Sequence, residues 1–463
     1  RRKVKNKLDK HFVLEKRFLF SVMAIALPIA AQNIISFGVS VMDSVMLGSL
    51  GDIAISAASL GGQPFFLLMS AGFGLSSGGS VLIAQYWGKK DMGNIRRVMR
   101  MSMQFVFAVS VLFTLGCFFF PTFIMSLYSP EKDVVNAAAE YLGIVALSYI
   151  PYSVSNNYMM SLRAVEKVKV STLIYVVSFF VNVFFNYVFI FGAFGMPRLE
   201  VAGAAVGTVI ARFCELFMVL IYMHTREKTV NFRIMDCFKA DWTLLPSYTK
   251  HSLPVVGNEM MWGLGATITT LIIGQIGSTF LAANSIAGVV SQLSMVFIFG
   301  IGNAAAVLTG KTIGEGDKER TKRVANTLIV LAFTLSLFSC AFLLLIRNPF
   351  LSIYKVTAET SDIAYSIITV LAFLQLTISI EVVTIVGVLR GGGDTRTAFA
   401  IDCGALWLIG IPMGVLTGLV LKLPAPVVYA CMKLDSPVKT VLALTRIRSG
   451  KWIRNVTVRE NKE

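Results

Sequence analysis

Apolar positions in this chain fall in runs of roughly 20 or more residues, separated by short clusters of charge. At about 1.5 Å rise per residue, each run makes a helix long enough to cross a bilayer core of roughly 30 Å. Twelve runs are predicted, near 18–43, 53–86, 97–120, 134–161, 170–193, 201–224, 248–274, 279–309, 324–346, 361–388, 398–421 and 424–445. The last is the weakest, because Lys433, Asp435 and Lys439 interrupt it.

One long pattern occurs twice. Leu27 to Gly51 reads LPIAAQNIISFGVSVMDSVMLGSLG, and Leu253 to Gly277 reads LPVVGNEMMWGLGATITTLIIGQIG. One register matches Gly48 with Gly274, Gly62 with Gly288, Gly88 with Gly314, Asp91 with Asp317 and Arg97 with Arg323. The expected fold is therefore an all-α membrane protein of twelve transmembrane helices in two pseudo-symmetric six-helix lobes. The predicted boundaries are an N-lobe at 1–224, a cytoplasmic linker at 225–247, and a C-lobe with a basic tail at 248–463. Six spans per half gives both halves the same orientation, so the repeats are parallel, and such repeats point to a transporter with its site within or between the halves.

Composition agrees with the pattern. Hydrophobic residues make up 55% of the chain and charged residues 15%, with a mean hydropathy of +0.71. A soluble domain carries about 25% charge. The net charge of +16 would suggest nucleic acid in a soluble protein. Here most Lys and Arg occupy alternate connections, such as GKKDMGNIRR, GKTIGEGDKERTKR and RGGGDTR. That asymmetry predicts both termini in the cytoplasm and anionic lipid as the basic contact, with no nucleic-acid partner. The basic start leads into a run too long for a signal peptide, so the first span is expected to be retained. The six cysteines have no CxxC spacing and predict free thiols, with neither a disulfide framework nor a Cys-based metal site. LTGKT (Leu308–Thr312) lacks the first glycine of a phosphate-binding loop, since Ala305 stands there. Without a nucleotide site or other cofactor, an ion gradient is the expected energy source.

Three acids interrupt the apolar runs: Asp43, Glu259 and Glu381. A carboxylate at the bilayer centre costs about 3 kcal/mol, so each needs a reason. The repeat acts as a control. Glu259 aligns with Asn33, Asp43 with Thr269, and Glu381 with Val154 or Ser155. Each half thus carries an acid that its counterpart lacks, which argues for function over a shared structural need. An acid in apolar surroundings favours its neutral form and can exchange a proton for Na⁺ or an organic cation. Gln32, Asn33, Asn182 and Asn186 are candidate cavity-lining amides, the last two at i and i+4 on one helix face. Arg212 and Glu215 read as a structural ion pair, and Asp402 as interfacial. Glu259 and Glu381 are expected to face one another, with Na⁺ or a shared proton between them, and Asp43 to lie in a separate cavity. Adaptable Met and flat aromatic rings suit apolar cations where they line a cavity.

MDSVMLGSLG, NEMMWGLG, LRGGGDTR, NYVFIFGAFGMP and VAGAAVGTVIAR together resemble the multidrug and toxic compound extrusion (MATE) family, closest to its bacterial DinF-like type. The resemblance spans nearly the whole chain, including the SGKWIRN tail. It implies two six-helix lobes around a V-shaped cavity, and export of cationic drugs or metabolites in exchange for H⁺ or Na⁺. It carries the first-span Asp onto Asp43 and the seventh-span Glu onto Glu259. Some members have a second acid where Asn186 stands, and others a tenth-span Asp where Ser379 stands. The implied setting is the bacterial cytoplasmic membrane, with a single two-lobed chain sufficient as a monomer. The runner-up is a flippase for lipid or lipid-linked oligosaccharide in the same wider superfamily, which needs basic cavity residues to hold a pyrophosphate. An intramembrane enzyme would need a nucleophile–base or metal cluster at depth, and the three peripheral histidines do not supply one.

Overall fold

The computed structural model describes residues 11–13, 15–354 and 356–457. Twelve helical segments follow the predicted runs. They are α1 (Lys16–Gly48), α2 (Ile53–Gly88), α3 (Met92–Phe119), α4 (Lys132–Ala164), α5 (Lys169–Phe191) and α6 (Glu200–Thr225) in the first half. The second half holds α7 (Leu245–Ile276), α8 (Ser278–Gly314), α9 (Lys318–Leu351), α10 (Ala358–Leu389) and α11 (Thr395–Val420). The last segment is broken: Ala425–Met432 precedes α12 (Asp435–Arg448). Among the described residues, ten of these helices are long and apolar enough to cross a membrane; α7 and the 14-residue α12 are not among them. Pro28 and Pro254 lie inside continuous helices.

Local chemistry repeats as the sequence does. Asp91 and Asp317 are the N-caps of α3 and α9, accepting from the backbone N–H of Asn94 and Arg320 at 3.1 and 2.8 Å. Three stretches within the last spans depart from α geometry. Val383–Leu389, within α10, is π-helical, and so are Leu406–Gly410 and Val415–Val420 within α11. A π turn widens the helix and rephases the side chains beyond it.

The chain packs as two compact units, which interleave in sequence. An amino unit comprises Ala31–Ile83 and Asp91–Ser252, while a carboxy unit comprises the segment up to Ala30, Ala84–Lys90, and Leu253 onward. The amino unit's core gathers Leu68, Ala138, Leu142 and Tyr149 from α2 and α4. The carboxy unit's core gathers Ile273, Phe280, Leu343, Ile367 and Leu371 from α7 to α10. Within the carboxy unit the ends of α2 and α8 cross at backbone contact. A Cβ on Gly88 would lie 2.0 Å from the Lys311 carbonyl, and one on Gly314 would lie 1.9 Å from that of Gln85. These are matching positions of the repeat, so one contact enforces glycine twice. The tail docks on the RGGGD turn: Arg446 and Arg454 hold buried Asp394 at 2.7 and 3.1 Å. Buried Trp452 packs against Gly392.

The linker is an ordered segment. Buried Glu227 accepts the backbone N–H groups of Thr229, Val230 and Asn231 at 2.9, 3.1 and 2.7 Å and pairs with Lys167 at 3.2 Å. Burial acts to raise its pKa, but these hydrogen bonds outweigh it and hold the carboxyl below its ordinary value. A short 3₁₀ turn, Ile234–Phe238, follows.

Candidate functional site

In the amino unit, Asp43 on α1 meets the amides of α5. Asn186 donates through Nδ2 to the Asp43 carboxylate at 2.6 Å and to Asn182 Oδ1 at 3.3 Å. Asn182 in turn donates to Thr208 of α6 at 3.4 Å. The i, i+4 spacing of the two asparagines places both on the α5 face that meets α6. Gly207 makes room for this: a Cβ there would lie 2.1 Å from Asn186 Oδ1. That oxygen is buried and accepts no hydrogen bond among the described residues. Asp43 is half-buried and has no ion-pair partner among them. The basic side chain of α6, Arg212, is already committed to buried Glu215 at 2.7 Å and sits 5.0 Å over the Tyr152 ring. The site therefore combines a carboxylate that has no ion-pair partner among the described residues with an unmatched amide oxygen beside it, a set of acceptors suited to a proton or a cation.

The carboxy unit is wired differently. Glu259 of α7 accepts from Arg390 at the end of α10, Nη1 to Oε1, at 2.9 Å. Glu381 lies 3.4 Å from the ammonium of Lys439 on α12, which also contacts Asp402 at 2.8 Å and Asp435 at 2.9 Å. Asn258 donates to Asp402 at 2.9 Å. Lys439 is buried among three carboxylates, an arrangement in which desolvation is offset only by close, multiple contacts.

Three sequence expectations change here. Glu259 and Glu381, expected to face one another, are each paired with a basic side chain, Arg390 and Lys439. These contacts take the place, at each glutamate, of the shared Na⁺ or proton expected between them. Asp402 is not interfacial but part of the Lys439 cluster. The lysine that weakened the twelfth run has a partner set there, since Lys439 contacts the carboxylates of Glu381, Asp402 and Asp435. Gln32 also differs from a free lining group: it is buried, donates to Thr172 at 2.9 Å and accepts from Arg163 at 3.0 Å. Asn33 is half-buried and shows no hydrogen bond among the described residues. Sequence reasoning missed Arg390 and Lys439. The signal for Lys439 was present, as a basic residue one helical turn after Asp435 in an otherwise apolar run.

The MatE family model matches residues 28–188 and 254–416. The chain belongs to the MatE family. The two MatE matches begin at Pro28 and Pro254, the prolines that open the two copies of the repeat. The probable multidrug resistance protein NorM of Agrobacterium fabrum is 26% identical over 401 residues, covering 85% of each chain. The multidrug resistance protein MdtK of Yersinia enterocolitica is 26% identical over 412 residues, 88% of this chain and 89% of the relative. Among solved structures, an outward-facing multidrug resistance MATE transporter of the MOP superfamily superposes with a TM-score of 0.85 at 17% identity, covering 93% of this chain and 96% of that one. The MATE fold inferred from sequence motifs is thus the fold observed.

Proposed function

We propose that this protein is a secondary exporter of organic cations, driven by inward H⁺ movement, with Asp43 as the exchanging carboxylate. The observation that carries this reading is the contrast between the units. Asp43 is the acid of the three without an ion-pair partner among the described residues, whereas Glu259 and Glu381 hold Arg390 and Lys439. A carboxylate without a bound cation is free to take one. Protonated, it is neutral and releases a cationic cargo; deprotonated, it attracts the next cargo, so export requires a proton to cross in the other direction. Asn186 steadies the carboxylate in either state without neutralising it. The names of the relatives, multidrug resistance proteins, support the cargo class. The distribution of Lys and Arg supports both termini in the cytoplasm, and the bacterial relatives support the cytoplasmic membrane as the setting.

The flippase alternative needs free basic groups for a pyrophosphate. Arg212, Arg390 and Lys439 are each paired with a carboxylate, Arg163 is held by the Gln32 amide, and Arg347 by Thr369 and the Tyr365 ring; basic groups already engaged in this way disfavour it. Purified protein in proteoliposomes decides the matter. With an inward-directed pH gradient, ethidium efflux is expected to stop on collapse of that gradient and to persist without Na⁺. Efflux that required Na⁺ and ignored the pH gradient would sink the proton reading.

A further inference from the structure

A second site lies away from the spans. In the amino unit, the start of α3 and the linker enclose a cavity of about 650 Å³. Two ion pairs form part of its wall, Arg97 with Asp241 at 2.9 Å and Lys239 with Asp236 at 2.6 Å. Hydrogen bonds from Thr243, with Arg97 and Arg100 nearby, hold Asp241 below its ordinary pKa, so that pair stays ionised. Arg96, Arg100 and Arg233 complete the lining and leave an excess of positive charge. Arg100 is 8% exposed, and its one ion pair among the described residues, to Asp241, is long at 3.8 Å. Its Nε is buried with no acceptor among the described residues. A guanidinium removed from water with an unmet donor marks a missing anion, because leaving such a group unpaired is costly.

The linker's other face identifies the source of that anion. Met235, Phe238 and Trp242 are 67, 80 and 51% exposed, on the segment that supplies Arg233 and Lys239 to the cavity. Apolar and aromatic side chains of this kind are stable at a membrane surface, where the rings sit at headgroup depth. The segment joins two spans, α6 and α7, so it lies at a membrane face whatever the transporter exports. We propose that this cavity binds the phosphodiester headgroup of an anionic phospholipid, with Arg96, Arg100 and Arg233 as the anion contacts and Met235, Phe238 and Trp242 seated in the adjoining leaflet. Basic pockets beside membrane helices suit such headgroups. The lipid would fasten the linker to the start of α3.

The test uses the full chain in mild detergent and follows its thermal midpoint against added phosphatidylglycerol, phosphatidylcholine or inorganic phosphate. Phosphatidylglycerol is expected to raise the midpoint saturably, with little effect from the other two. The Arg96→Gln/Arg233→Gln double variant is expected to weaken that response, by about fivefold for each charge removed. Both side chains reach solvent, so this variant folds even if loss of Arg100 does not permit it. An equal response to phosphatidylcholine would overturn the headgroup contact, and an equal response to inorganic phosphate would reassign the cavity to a free anion. An undiminished phosphatidylglycerol response in the double variant would place the lipid elsewhere.

Discussion

Arg390 reaches Glu259 across 2.9 Å, and its counterpart in the first half, Arg163, reaches Gln32 across 3.0 Å. Both halves thus extend an arginine from the end of the fourth span onto the first. One half meets it with a carboxylate, the other with an amide.

That equivalence predicts a graded response at Glu259. Glu259→Gln should fold, costing about 1–3 kcal/mol, because a glutamine Oε1 still accepts from Arg390 as Gln32 does from Arg163. Glu259→Ala strands a buried guanidinium and should cost about 3–5 kcal/mol. Thermal midpoints of the two purified variants separate these; equal losses would mean the ion pair does not hold α7 to α10.

On the proposed mechanism, Asp43→Asn removes the exchanging carboxylate. Proton-driven efflux is expected to fall by at least about two orders of magnitude, with expression and thermal midpoint near wild type, since an amide fills the same space but carries no exchangeable charge. Wild-type efflux at matched protein level would remove Asp43 from the mechanism.

Gly207→Ala tests the amide beside it. The added methyl would meet Asn186 Oδ1 and, at 2.8 Å, the Asn186 backbone nitrogen, so α5 must shift. We expect a loss of about 1–3 kcal/mol and a disproportionate loss of efflux as Asn186 leaves Asp43. Stability lost with efflux per folded molecule intact would mean Asn186 is dispensable.

Lys439→Met leaves Glu381, Asp402 and Asp435 without their shared cation. The expected cost is about 3–5 kcal/mol near neutral pH. It should shrink as pH falls, because protonation relieves the stranded carboxylates. A pH-independent deficit in the thermal midpoint would indicate lost packing instead.

Glu227 gives a pH dependence of known sign. Its folded pKa is depressed, so its contribution is fully present above the ordinary carboxylate range and is lost as pH falls through the lower folded value. Glu227→Gln should abolish that acid-side loss and expose the Thr229–Asn231 amides to faster hydrogen exchange. Unchanged exchange there would contradict the clamp.

The twelve spans, the duplication and Asp43 were legible in the sequence for one reason: apolar length and an unmatched acid need no knowledge of partners. The contact between Asp43 and Asn186 was legible in outline, because Asn182 and Asn186 share a helix face. The carboxy unit was not. Its partners come from α7, α10, α11 and α12, far apart along the chain, and the π-helical stretch at Val383–Leu389 falls between Glu381 and Arg390. Glu381 read as a partner for Glu259 only because both acids fall in the second half, at positions the repeat does not match. Arg390 read only as part of a basic turn, and Lys439 as a blemish in a weak span. Direction within the ion network depends on side chains that periodicity does not rank.

A counter-ion that is part of a side chain does not dissociate into the medium. The effective concentration of the Lys439 ammonium at its three carboxylates is set by one lysine stem and by the position of α12, not by what surrounds the cell. Dilution of the medium therefore does not remove this ammonium from its three carboxylates. The Lys439 contacts are thus supplied by the chain itself and travel with the fold wherever the membrane is placed.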